Sequence, residues 1–171
     1  NKLSLKSDNS DFNLLCLPSD NFPTFQLDEF NESEVKIDNK NFLKLLNKTK
    51  ISISNDDTRH YLNGVFMHLT ESNGRNFLTG VATDSHRLSS SSLEIDNTKN
   101  FKPFILPRKT VFQLCSLLSE MSDPLFIKIS ENKVMFLIGK IRLISKVIDG
   151  KFPDYKKVVP MNNKKVLVVK T

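Results

Sequence analysis

Twice along the chain, a short helical stretch with a single apolar stripe is followed by three stretches of alternating apolar residues, and that order admits few architectures. In the first repeat the spacing predicts a helix over 39–48, with Phe42, Leu45, Leu46 and Thr49 on one face and Lys40, Lys44 and Asn47 opposite. Asp38 precedes it as a cap, and 34–38 reads as a short strand. Strands then follow at 59–71, 76–83 and 86–93, the first two joined by Asn73-Gly74, a pair suited to a two-residue hairpin turn. The second repeat opens with a strand at 104–106. Pro107 suits the first turn of a helix over 108–119, in which Val111, Leu114, Cys115 and Leu118 recur at i, i+3, i+4 and i+7. Ser122-Asp123-Pro124 ends it, and strands at 125–130, 133–138 and 141–148 complete the half. Two strand–helix–strand–strand–strand halves predict a pseudo-symmetric α+β domain of two helices and antiparallel sheets.

The flanks read differently. Leu3 and Leu5, the turn residues Ser7-Asp8-Asn9-Ser10 and the run 12–17 predict a hairpin. A polar connector with Pro18, Pro23, Asp28, Glu29, Glu32 and Glu34 puts a domain boundary near Ser33. With 171 residues and 39% hydrophobic content, the chain can bury a core but not form two full domains. Its longest apolar runs are far shorter than the roughly 20 residues of a membrane span. Cys16 and Cys115 lie far apart among apolar neighbours, which writes no disulfide framework and suits a reducing, cytoplasmic setting. The first residue is Asn1 rather than Met, so the chain is expected to be part of something longer.

The net charge of +6 is unevenly spread: residues 1–85 carry 9 Lys/Arg against 12 Asp/Glu, residues 86–171 carry 16 against 7. A basic half fits a solvated surface or a polyanion. Lys40, Lys44 and Lys48 share one helix face, Arg108 and Lys109 stand at a helix start, and Arg59-His60-Tyr61 fall on a nearby strand. These could hold phosphates without reading bases. Thr83-Asp84-Ser85-His86-Arg87 invites a catalytic-triad reading, but adjacent residues on a strand point to opposite faces. His60, His68 and His86 have no metal-ligand spacing, and His68 on an alternating strand reads as surface or half-buried. Asp56, Asp57 and Asp84 leave a metal nuclease as a distant reading, with Asp56-Asp57 better explained as turn residues.

Five segments in order resemble one family, the bacterial sliding clamp, the beta subunit of DNA polymerase III. Asp57-Thr58-Arg59-His60-Tyr61-Leu62-Asn63-Gly64 resembles its D-x-R-Y-Y-L-N-G, and Val81-Ala82-Thr83-Asp84-Ser85-His86-Arg87-Leu88 its V-A-T-D-G-H-R-L. Pro107-Arg108-Lys109 resembles its P-R-K, and Ser145-Lys146-Val147-Ile148-Asp149-Gly150-Lys151-Phe152-Pro153-Asp154-Tyr155 its S-K-L-I-D-G-x-F-P-D-Y. Leu17-Pro18-Ser19-Asp20-Asn21-Phe22-Pro23 is similar to the L-P-x-x-D-F-P that precedes the middle domain.

The resemblance implies the DNA-clamp fold, with two helices on the inner face and antiparallel sheets outside. It assigns 1–32 to the end of a first domain plus linker, 33–163 to the middle domain and 164–171 to the first strand of a third. It implies a non-catalytic processivity subunit, a homodimeric ring around double-stranded DNA when full length, without cofactor or metal and with no membrane. Its partners would be the clamp loader and polymerases that dock through short linear motifs. DNA contacts fall on Lys40, Lys44, Arg59, His60, Tyr61, Arg108 and Lys109. The peptide cleft falls on Leu62, Thr83, Ser85, His86, Arg87, Leu88, Pro153, Lys157 and Val158. Ser85 replaces the family's glycine, and His60 one of its two tyrosines. The other reading kept open is a DNA-backbone or peptide-binding module of a repair or regulatory protein.

Overall fold

The computed structural model describes residues 2–22, 24, 30, 34–96, 101–160 and 168. The boundary at Ser33, most of the acidic connector, the loop residues Asn97, Lys99 and Asn100, and the strand expected at 164–171, Val168 apart, lie outside the described residues.

Strands β1 (Lys2–Ser7) and β2 (Ser10–Leu15) form the expected hairpin, a two-stranded sheet of its own. Beyond it come β3 (Glu34–Ile37), α1 (Asn39–Thr49), β4 (Gly64–Ser72), β5 (Arg75–Thr83) and β6 (Leu88–Glu94), then β7 (Phe104–Pro107), α2 (Arg108–Glu120), β8 (Leu125–Ile129), β9 (Lys133–Ile138) and β10 (Ile141–Lys146). The repeat read from the sequence is therefore the order of the molecule.

What the order does not disclose is the pairing. One sheet runs β6-β5-β4-β7 and the other β10-β9-β8-β3, all antiparallel. Each half thus places its opening strand in the sheet of the other half. Both helices share one core with the two sheets: Phe42, Leu45 and Leu46 of α1 and Val111, Leu114 and Leu118 of α2 join Val35, Met67, Leu78, Leu106, Ile127 and Phe136 in one buried cluster. Gly80 of β5 lies so close beneath α1 that a Cβ there would stand 2.7 Å from Leu45 Cδ2.

Local chemistry explains the helix starts. The Asp38 carboxylate accepts from the Asn41 N–H at 2.9 Å, satisfying one of the amides that a helix N-terminus leaves unpaired. Pro107 sits one position earlier than expected, as the N-cap of α2 with extended φ −60° and ψ 144°, because it still belongs to β7. At the hairpin turn Asn73 and Gly74 both take positive φ, 51° and 73°, as that turn demands.

Two strands begin later than the alternation suggested. Residues 57–62 form 3-10 turns, because Asp56 accepts from both the Thr58 N–H (2.9 Å) and its hydroxyl (2.6 Å), which curls the chain before β4 can start at Gly64. Residues 84–87 form a tight turn instead of opening β6. Here Asp84 Oδ1 accepts from the amides of His86 and Arg87, each at 3.0 Å. The triad reading therefore fails on a turn rather than on a strand: Asp84 is occupied with backbone amides, and Ser85 Oγ accepts from Arg59 instead of donating to His86. His68 is buried, contrary to its reading as a surface or half-buried side chain, for a reason given below. No helix among the described residues is long and apolar enough to cross a membrane.

Candidate functional site

On the outer side of the sheet that holds β4, β5 and β6, three separate stretches converge on a cavity of about 630 Å³. The 57–62 turn brings Leu62, the 84–87 turn brings Ser85, His86 and Arg87 between Thr83 and Leu88, and 153–160 brings Pro153, Tyr155, Val158 and Val159. Leu62 is buried beneath, Leu88 is half-buried, and Val158 is 69% exposed. Of the nine residues assigned to a cleft, eight line this cavity. Lys157 does not; its ammonium swings to Asp154 Oδ2 at 3.3 Å, one helical turn back, and stays in solvent. Tyr155, absent from that assignment, does line it. It closes the Phe152-Pro153-Asp154-Tyr155 motif, which was the available signal, and stands on a short 3-10 turn (Tyr155–Lys157).

The rim is built by hydrogen bonds within the 84–87 turn. Thr83 Oγ1 donates to the Arg87 carbonyl at 2.7 Å and accepts from the Ser85 N–H at 3.1 Å. Asp84 Oδ2 pairs with Arg87 Nε at 3.0 Å, and the Arg87 and His86 amides hold its carboxyl below the usual carboxylate range. Arg87 is thereby aimed rather than free, with a largely exposed guanidinium above an apolar floor. Such a trough, apolar below and polar at its edges, suits an extended peptide with a hydrophobic anchor.

Ser85 holds φ at +77°, a left-handed conformation that a side chain disfavours by about 1–2 kcal/mol. Its hydroxyl accepts from Arg59 Nη1 at 2.6 Å, and Arg59 Nε binds Asp56 Oδ2 at 2.9 Å. The Thr58 hydroxyl and amide, with Arg59, lower the Asp56 pKa to about 2. Comparing Ser85→Gly with Ser85→Ala separates strain from bonding, since both lose the hydroxyl and only glycine relieves the backbone. In urea titrations the glycine variant is expected to be the more stable by about 1 kcal/mol.

The residues assigned to DNA are not one constellation. His60, Arg108 and Lys109 line one hollow of about 450 Å³ beside the start of α2, with Ser54, Asp57 and Asn63. Arg108 and Lys109 also line a second hollow with Phe112 and Gln113. The Arg108 guanidinium lies 4.7 Å from the Phe112 ring centroid and Lys50 Nζ 5.6 Å from it, a stacked arrangement that charge and spacing alone did not suggest. Lys40 and Lys44 stay exposed on α1. Arg59 is turned toward Ser85 instead, and Tyr61 is half-buried against Leu62, Val81, Ile105 and Phe152. Among the described residues no group of three or more His, Cys, Asp or Glu is placed to hold a metal ion.

Comparison with known proteins gives one answer. A family profile described as DNA polymerase III beta subunit, central domain, matches residues 36–154. The beta sliding clamp of Caulobacter vibrioides is 36% identical over 169 residues, which is 98% of this chain and 45% of that protein. The crystal structure of the DNA polymerase sliding clamp from Caulobacter crescentus superimposes with a TM-score of 0.85 at 36% identity, over 96% of this chain and 44% of that one. The sliding clamp of Bartonella birtlesii, solved with griselimycin bound, gives 0.86 at 35% identity, over 95% and 44%. The chain thus spans about half the length of the relatives it matches, 45% of the Caulobacter vibrioides protein.

Proposed function

Since the chain belongs to the DNA polymerase III beta subunit, central domain, family, we propose that it is the middle portion of a cytoplasmic sliding clamp. In the whole protein two such chains close a ring around duplex DNA and hold the replicative polymerase to its template. The same ring docks the clamp loader and other replication and repair proteins through short linear motifs.

The observation that carries this reading is the convergence of residues 62, 83–88 and 153–158 on one trough. These stretches are distant in sequence, and the resemblance assigned them to one cleft. Leu62, Leu88, Pro153 and Val158 receive a peptide's leucine or aromatic anchor, while Thr83, His86 and Arg87 engage its polar groups. No bond is made or broken, and the chain has no active site of its own. The lysines of α1 and the Arg108-Lys109 pair of α2 meet phosphate oxygens without reading bases. Retention by a closed ring leaves those contacts free to be weak, which is what sliding requires.

The test is a methyl-resonance titration of this chain with a QxxLF-type pentapeptide and a control in which Leu and Phe are alanine. Saturable shifts at Leu62, Leu88 and Val158, absent with the control, are expected. Unchanged methyls at millimolar peptide, or equal shifts with the control, would remove the cleft. Duplex DNA should bind weakly and with steep salt dependence, and a submicromolar Kd at physiological salt would count against retention by topology.

A further inference from the structure

The outer face of β4 carries a stack of rings that ends in the cleft wall. Phe152 stacks on Phe66 at 4.9 Å between centroids, Phe66 on His68 at 4.8 Å, and the His68 ring meets Tyr155 at 5.7 Å. Phe152 immediately precedes Pro153, and Tyr155 lines the trough, so the wall is fastened to the sheet at both of these points. The imidazole makes two hydrogen bonds. Its Nδ1 lies 3.0 Å from the Leu69 carbonyl and its Nε2 3.0 Å from the Tyr155 hydroxyl. A carbonyl only accepts, so Nδ1 carries the proton and, in the neutral ring, Nε2 accepts from the Tyr155 O–H. Nothing in the cleft reading uses this pair.

We propose that His68 is a positioning residue for the cleft, locking the Tyr155 phenol and with it the 153–158 wall only while its imidazole is neutral. Protonation turns Nε2 into a donor, so the phenol must reverse its hydrogen bond. It also places a cation in a site only 8% exposed and beside the Lys156 ammonium. The ionisable groups that face the ring are the Tyr155 phenol and Lys156. On β5 the residue opposite is Thr79, and β7 has no ionisable side chain. Burial first, then Lys156, hold the His68 pKa below its ordinary 6.5, against the Leu69 carbonyl, which raises it. The sign follows: the unfolded or released ring takes the proton more readily, so the lock is complete above pH 6.5 and weakens as pH falls below it.

This inference rests on the cavity being a peptide cleft, and its first readout needs no peptide. In the chain alone, ring resonances of His68 and methyl resonances of Val158 and Leu88 are followed from about pH 7.5 to about pH 5. The methyls are expected to move with the His68 midpoint in wild type and to lose that transition in His68→Gln. The second readout is affinity for the QxxLF-type peptide. Wild type is expected to weaken several-fold between those pH values, and His68→Gln to be weaker at neutral pH and to lose that dependence. If the ring titrates and the wall methyls do not follow, or if His68→Gln keeps the wild-type profile, the proposal is wrong even where peptide still binds. Absence of peptide binding at every pH removes the cleft reading and leaves the first readout to decide this one.

Discussion

Gly64→Ala is expected to lower the unfolding free energy of this chain by about 3 kcal/mol, and its melting temperature by roughly 10 °C. The added Cβ would collide with the backbone carbonyl of Leu106 and stand 2.9 Å from Ile105 Cγ2. A side chain could rotate away; a carbonyl engaged in the β4–β7 pairing cannot. Gly64 pairs with Pro107, and the next residue opens α2, so the strain falls where a strand and a helix are both positioned. Gly74 is the comparison. A Cβ there meets nothing within 4 Å, and only its φ of +73° opposes substitution, at about 1 kcal/mol. Thermal melts of Gly64→Ala and Gly74→Ala side by side check the ordering, and equal losses would mean that β4 and β7 are not packed this tightly.

The largest functional effect is expected from Val158→Glu. The residue is 69% exposed and belongs to neither buried cluster, so the stability of the domain should change by less than about 0.5 kcal/mol. A carboxylate there faces Leu88 and Pro153 across the trough and would have to be desolvated by an apolar peptide anchor. The loss in peptide affinity is expected to exceed about thirtyfold, corresponding to about 2 kcal/mol. Calorimetric titration of the two proteins, each shown to be folded by its melt, measures it. Unchanged affinity would place the anchor elsewhere on the surface.

Periodicity and breakers made most of the fold legible. The apolar stripes of α1 and α2 and the Asn73-Gly74 turn stand where the spacing put them, because each depends on neighbours within one helical or hairpin turn. The two mistaken strand starts share a cause. At Asp56 and Asp84 a carboxylate accepts backbone amides two or three residues ahead, and that local bond overrides an alternation in which Tyr61 or His86 would otherwise count as strand positions. The exchange of opening strands was illegible for a different reason: alternation tells which face of a strand is buried, not which neighbour it pairs with.

The site was legible through motifs, and less so in its physics. Leu62, Leu88 and Pro153 could each be named, but their meeting depends on non-local packing. Lys157 and Arg59 point away from the cavity and from the hollow beside α2, because each has a nearby carboxylate, Asp154 and Asp56, that directs its side chain. His68 looked half-exposed because its cover, Tyr155, lies 87 residues away.

Because β3 pairs with β8 and β7 with β4, neither repeat holds a complete sheet. A chain emerging from the ribosome can zip β4, β5 and β6 together as soon as they appear, yet β3 must wait until residue 129 has been made. Closing that span of some 90 residues carries an entropic cost of about 4 kcal/mol, so β3, the first strand of either four-stranded sheet to be made, waits unpaired through most of the domain's synthesis. The domain is therefore indivisible during synthesis: a nascent or truncated product lacking the second repeat would carry an unpaired apolar edge, Val35 and Ile37, into the crowded cell.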